Sequence, residues 1–193
     1  MLNYLVYHIH TSLGFVISSK PYREADRVYQ IFTKEFGLIS AIAQGIRLEK
    51  SKLRYSISDL SITNLSLVHG KEFWRIVGAD NVDSIKNSDK VIIILAKLAN
   101  LIKRLVHGEE KNEKIFDLLS RLTIIDIKDR DIAENIESLS VLRVLHELGY
   151  IAMTREIQTC IGDDIALIGE ALDQDKRKFI NQLVNNALKQ SQL

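Results

Sequence analysis

A chain of 193 residues, 46% apolar and 26% charged, has the ordinary composition of a soluble globular protein and length enough for one large core or two small ones. Its formal net charge of +1 points to no class of partner by itself. A single cysteine excludes an internal disulfide and a cysteine-rich metal site, in keeping with a reducing cytoplasm.

The amino terminus has no cationic region ahead of its apolar residues, so no signal peptide is expected. Met1 to Lys20 reads as strand: Tyr4, Val6, His8 and His10 share one face, and Gly14-Phe15-Val16-Ile17 renews the signal. Pro21, the only proline, is expected to close it, because proline has no N–H to give a ladder. His8-x-His10 places two imidazoles on one face without a third ligand nearby, so an edge-strand surface is expected there and no metal.

Arg27 to Phe36 is rich in β-branched and aromatic residues, Leu38 to Ala43 continues in kind, and Gly37 supplies a hairpin turn. After Gly45 come Arg47, Lys50, Lys52 and Arg54 against a lone Glu49. Cations on a loop beside a sheet form the footprint a phosphate backbone would meet, and Arg23 and Arg27 extend it, partly cancelled by Glu24 and Asp26. A solvated loop is the plainer reading of such a run. Binding of nucleic acid further needs rings for bases to stack on, for which Tyr22, Tyr29, Tyr55 and Trp74 are the candidates, with Phe32, Phe36 and Phe73 assigned to the core.

Ile57 to Val68 reads as one long strand whose apolar phase changes around Thr63-Asn64, which predicts a β-bulge there. His69-Gly70 makes a turn, and Lys71 to Val77 returns as a strand. Five strands without an intervening helix predict a small closed barrel, most naturally an OB-fold.

Asp80 to Ser88 is polar and turn-like and marks a boundary between residues 1–80 and 81–193. The first part holds ten basic to six acidic residues up to position 79; the remainder is mildly acidic. Everything beyond has helical period, making the chain α+β. Ser88 is placed to cap a helix from Asp89 to about His107 with Gly108 as its stop, a largely buried and central helix. Lys97, Lys103 and Arg104 rule out a membrane span, which needs about 20 mostly uncharged residues. Helices are expected over Glu113 to Ile125, after an Asp131-x-x-Glu134 capping box, and from Asp173 onward. Asp163-Asp164 reads as a helix start, and His107 and His146 as ordinary amphipathic positions.

No phosphate-loop, dinucleotide, nucleophile-elbow or H-E-x-x-H signature is present, and one cysteine with scattered histidines gives no nucleophile–base pair. The chain therefore reads as a binder without cofactor or metal, not as an enzyme. The alternative class is a protein-interaction adaptor with no nucleic-acid binding of its own.

Tyr22-Arg23-Glu24-Ala25-Asp26-Arg27, the Thr33…Gly37 pair, and Ala43-Gln44-Gly45-Ile46-Arg47 followed by Lys50-Ser51 together resemble the amino-terminal domain of the RecO family. Leu142 to Tyr150, ending Leu-Gly-Tyr, is similar to that family's helix before a four-cysteine zinc site, but here only Cys160 stands near the first pair and Asp163 occupies its neighbour's place. The resemblance implies an OB-fold followed by helices, in a bacterial, cytoplasmic and nucleoid-associated recombination mediator for DNA repair. It implies binding of single- and double-stranded DNA, annealing of complementary strands, and work with RecR to load RecA. It also implies docking of the acidic, Phe-ended tail of single-stranded-DNA-binding protein, with Lys97, Lys103, Arg104 and Arg143 as candidate cations. On this reading DNA falls to Arg23, Arg27, Arg47, Lys50, Lys52, Arg54, Tyr55 and Trp74.

Overall fold

The computed structural model describes residues 8–82, 88–160 and 165–190, with side chains throughout except at Cys160 and Ala166. The chain divides into two units, Met1–Ile85 with His107–Phe116, and Lys86–Val106 with Asp117–Leu193. Asp163-Asp164, most of the expected boundary and the first strand's start lie outside the described residues.

Five strands form the first unit: β1 (Ile9–Tyr22), β2 (Asp26–Thr33), β3 (Gly37–Ala43), β4 (Ile62–His69) and β5 (Trp74–Asn81). They close into a barrel in the order β1-β2-β3-β5-β4, all neighbours antiparallel except the short parallel pairing of β3 with β5. This is the five-stranded OB-fold architecture that the strand pattern predicts. Alternation decides what is inside: Ile39, Ala41 and Ala43 of β3 face Tyr29 and Ile31 of β2 and Leu65 and Leu67 of β4 in one buried cluster.

Three local expectations are corrected. Pro21 does not end β1; it pairs with Arg27 in register. The β4 ladder covers only Ile9–Phe15 of β1, so Pro21 sits where β1 has one partner and a missing N–H is tolerated. The strand expected from Ile57 begins at Ile62, after a loop in which Leu60 takes φ +59°. Nor is there a bulge at Thr63-Asn64: Thr63, Leu65 and Leu67 keep one phase, and the extra residues are Ile17 on β1 and Val77 on β5.

The β2–β3 turn is built by Thr33 and Gly37. Thr33 donates its hydroxyl to the Gly37 carbonyl at 2.9 Å and accepts the Phe36 amide at 2.9 Å. Gly37 holds φ +66°, a left-handed conformation that side chains resist. A β-carbon there would lie 2.3 Å from the backbone oxygen of Glu110, so the turn also needs glycine for space.

The second unit is helical: α1 (Asp89–Leu105), most of α2 (Glu113–Leu122), α3 (Arg130–Glu147), α4 (Arg155–Cys160), α5 (Ile165–Ala171) and α6 (Gln174–Gln190). The central helix is α3, packed on α1, α5 and α6, in place of the expected α1. α1 buries Val91, Ile94, Leu95, Leu98 and Ile102 but leaves Ile92 and Ile93 exposed. Ser88 occupies its N-cap position without a side-chain cap, so the expected hydroxyl bond is not made. α2 ends at Leu122, not Ile125. α3 is capped two residues earlier than expected, by Asp129 accepting the Ile132 amide at 3.0 Å.

α3 stops as its sequence predicts. Gly149 takes φ +80°, its amide bonds the His146 carbonyl, and the Tyr150 amide reaches Leu145, which is a Schellman closure. Buried Asn135 donates through Nδ2 to the Gly169 and Leu172 carbonyls at 2.9 and 3.0 Å, tying α5 to α3. Asp173 caps α6 through the Lys176 amide at 2.8 Å. No helix among the described residues is long and apolar enough to cross a membrane.

Candidate nucleic-acid interface

The two short motifs of the barrel are parts of one assembly. Asp26, opening β2, accepts the Gly45 amide on its carboxylate at 2.8 Å. Gly45 takes φ +64°, which turns the chain back toward the β1–β2 turn. There the Arg47 amide bonds the Ala25 carbonyl at 3.0 Å, and Arg47 Nη1 donates to the Glu24 carbonyl at 2.9 Å. Glu24 and Asp26 therefore fix the basic loop through a backbone oxygen and a capped amide. Neither forms an ion pair with it: among the described residues no carboxylate pairs with Arg27, Arg47, Lys50, Lys52 or Arg54.

Three of the candidate cations meet in one cleft of about 440 Å³, lined by Arg27, Arg47, Arg54, Tyr29, Ile46 and Ile57. Arg27 comes from β2, where Nη1 donates to Ser19 Oγ at 2.8 Å. Arg54 comes from the 3-10 turn Lys52–Tyr55, itself exposed, with its guanidinium 5.9 Å from the Tyr55 ring centre. Burial pushes the Tyr29 phenol above its ordinary value, Arg27 opposing and Asp59 adding to the shift. The phenol is thus a hydrogen-bond donor at neutral pH, beside three guanidinium groups that are always charged.

The remaining candidates divide. Lys50 and Lys52 are exposed but do not line the cleft. Arg23 stands on the β1–β2 turn with its guanidinium 5.1 Å from the Tyr22 ring centre, and Tyr55 is 77% exposed. Trp74 is a correction: at 5% exposure it offers no face to a base. Its indole is enclosed by His10, Phe36 and His69, and Nε1 donates to Glu109 Oε1 at 2.8 Å. Tyr29, at 3% exposure, is likewise a wall of the cleft and not a stacking platform. Sequence reasoning missed Ile46 and Ile57 as walls of the cleft and Ser19 as the anchor of Arg27, none of which carries a compositional signal.

In the helical unit, Lys97 is held 2.6 Å from Glu137, whereas Lys103 and Arg104 are exposed in the last turn of α1 and Arg143 is half-buried on α3. A cleft of about 350 Å³ there, among Ile125, Ile127 and Ile136, carries Asp126, Asp129 and Glu170 against Lys128. Its charge has the wrong sign for an acidic peptide. No group of three or more metal-ligating side chains occurs among the described residues.

Residues 8–85 match the family described as "Recombination protein O N terminal". The chain is similar to the RecO proteins. It is 27% identical over 153 residues to DNA repair protein RecO of Alkaliphilus metalliredigens, covering 77% of this chain and 60% of that protein. Over 156 residues it is 30% identical to RecO of Heliobacterium modesticaldum, covering 79% and 55%. To RecO of Rubrobacter xylanophilus it is 26% identical over 157 residues, covering 80% and 63%. The chain thus spans little more than half the length of the RecO proteins it matches. The RecO amino-terminal match coincides with the barrel and contains all three arginines of the cleft.

Proposed function

We propose that this chain binds single- and double-stranded DNA through its barrel and acts as a recombination mediator in DNA repair. The observation that carries the reading is the cleft of Arg27, Arg47 and Arg54: three arginines from three segments line one concavity, and among the described residues none of them is in an ion pair with a carboxylate. The DNA-binding domain is drawn at residues 1–80 and the helical domain at 81–193, with Arg23, Lys50, Lys52 and Tyr55 extending the surface outside the cleft. Annealing needs no catalytic residue. Neutralising the phosphates of two strands lowers their repulsion and holds them close enough to pair.

The RecO likeness supports the further steps of this role, which are work with RecR to load RecA and docking of the acidic tail of single-stranded-DNA-binding protein. For that tail the helical unit offers Lys103 and Arg104, not the acidic cleft beside Ile125. Filter binding of a labelled single strand at low salt tests the central claim. Retention of the strand is expected; a chain that retains none is an adaptor for proteins alone.

A further inference from the structure

We propose that the Arg27–Arg47–Arg54 cleft seats a phosphomonoester, such as the phosphate at the end of a strand, in preference to one more phosphodiester of a running backbone. The inference rests on the reading of the barrel as a DNA binder and narrows it to a ligand chemistry.

A groove that tracks a backbone strings its cations out along the strand. Here Arg27, Arg47 and Arg54 line a single concavity, and the neighbouring cations in sequence, Arg23, Lys50 and Lys52, stay outside it. The cleft's volume of about 440 Å³ falls within the roughly 300–1,000 Å³ typical of small-molecule sites. Two of its guanidiniums are held in place by protein oxygens, Arg27 by Ser19 Oγ and Arg47 by the Glu24 carbonyl. Each has five N–H donors in a rigid fork, so one such bond orients the group and leaves others for a ligand.

A phosphodiester presents two unesterified oxygens and one negative charge. A phosphomonoester presents three, with a charge of about −1.5 to −2 at neutral pH. Three arginines lining one cleft, none in an ion pair with a carboxylate among the described residues, match the three-oxygen ligand better in both number and charge. Ile46 and Ile57 add apolar wall, suited to the sugar or base edge attached to that phosphate.

The test compares fluorescence anisotropy of one oligonucleotide bearing a 5′-phosphate, a 3′-phosphate or only hydroxyl ends, with the intact chain at matched salt. A phosphorylated end is expected to bind about tenfold more tightly, and the advantage to fade below about pH 6, where the monoester loses its second charge. Thymidine monophosphate should compete the advantage away, and thymidine should not. Binding of the mononucleotide without any end preference would keep the phosphomonoester and assign it to a free nucleotide. Arg54→Gln and Arg47→Gln, checked for an unchanged melt, should each erase the preference, whereas Lys50→Gln, outside the cleft, should keep it. Equal affinity for all three ends, with no competition by the mononucleotide, overturns the inference and leaves DNA binding standing. Failure of every oligonucleotide to bind overturns the DNA reading itself.

Discussion

Trp74 donates its indole N–H to the carboxylate of Glu109 at 2.8 Å, a bond from β5 to the segment 107–116 that belongs to the barrel unit. The ring lies in a box of His10, Phe36 and His69 and is 5% exposed, so its role is to hold that segment, not to stack on bases. Trp74→Phe keeps most of the packing and loses the bond to Glu109, whose exposed carboxylate water can then satisfy, so it should cost about 1 kcal/mol in denaturant unfolding. Trp74 is also the only tryptophan of the chain. Its fluorescence should report unfolding of the barrel yet change little when DNA is added; strong quenching by an oligonucleotide would contradict the enclosed ring.

The same segment approaches the β2–β3 turn, where a β-carbon on Gly37 would collide with the Glu110 backbone and φ is +66°. Gly37→Ala therefore combines left-handed strain with a clash, and at least about 2 kcal/mol of destabilisation is expected. Thr33→Val is nearly isosteric but leaves the Phe36 amide without its acceptor; about 1–3 kcal/mol should be lost. Thermal unfolding of the two variants by circular dichroism measures both effects.

These cases show what the sequence makes legible and what it hides. The β-branched and aromatic content of β2 and β3, and the glycine at 149 after the α3 stripe, announce themselves because strand propensity and turn chemistry are local. The position of Trp74 does not, since an aromatic at a strand's start is equally suited to a core or to a surface, and only the pairing of β5 decides. The β4 phase was misleading for a related reason. Leu60 and Ile62 resemble strand residues, but Leu60 lies in a loop and Thr63 carries the interior phase. For the site, the sequence showed the cations but not their grouping. Asp26 reads in the sequence only as a charge, and its bond to the Gly45 amide, which draws the loop of Arg47 back to the β1–β2 turn, is not legible there.

Asn135 is a buried polar residue whose two Nδ2 protons each reach a carbonyl, of Gly169 and of Leu172. Asn135→Leu removes both donors and leaves two oxygens in a region that excludes water. A loss of about 2–3 kcal/mol is expected, with α5 the first element to lose protection in hydrogen exchange.

Asp173 caps α6, and the Lys176 amide it accepts is the chief reason its carboxyl lies below the ordinary value of 3.8, desolvation opposing. A folded-state value below the unfolded one means the cap stabilises above the unfolded value and fades as pH falls through the folded one. Asp173→Ala should therefore lower the melting temperature at neutral pH, with the gap to the parent chain closing in acid. A gap that stays constant from neutral pH down to about pH 2 would show that the carboxylate's charge plays no part.

The cleft arginines set the last expectation, through salt. Each phosphate neutralised on a single strand contributes ~0.7 to the slope of log K against log[salt], because counterions leave the strand when a guanidinium replaces them. Arg27, Arg47 and Arg54 changed together to Gln remove three charges and the guanidinium bonds to Ser19 and Glu24 while keeping polar side chains in the cleft. The slope should flatten by up to ~2.1 for single strands. Lys50→Gln with Lys52→Gln, outside the cleft, should flatten it by up to ~1.4 and leave any preference for a phosphorylated end intact. The two sets touch different parts of one surface, so their effects on the slope should add. A triple arginine variant with the parent slope would acquit the cleft, and binding would then have to be sought on the exposed lysines and Arg23.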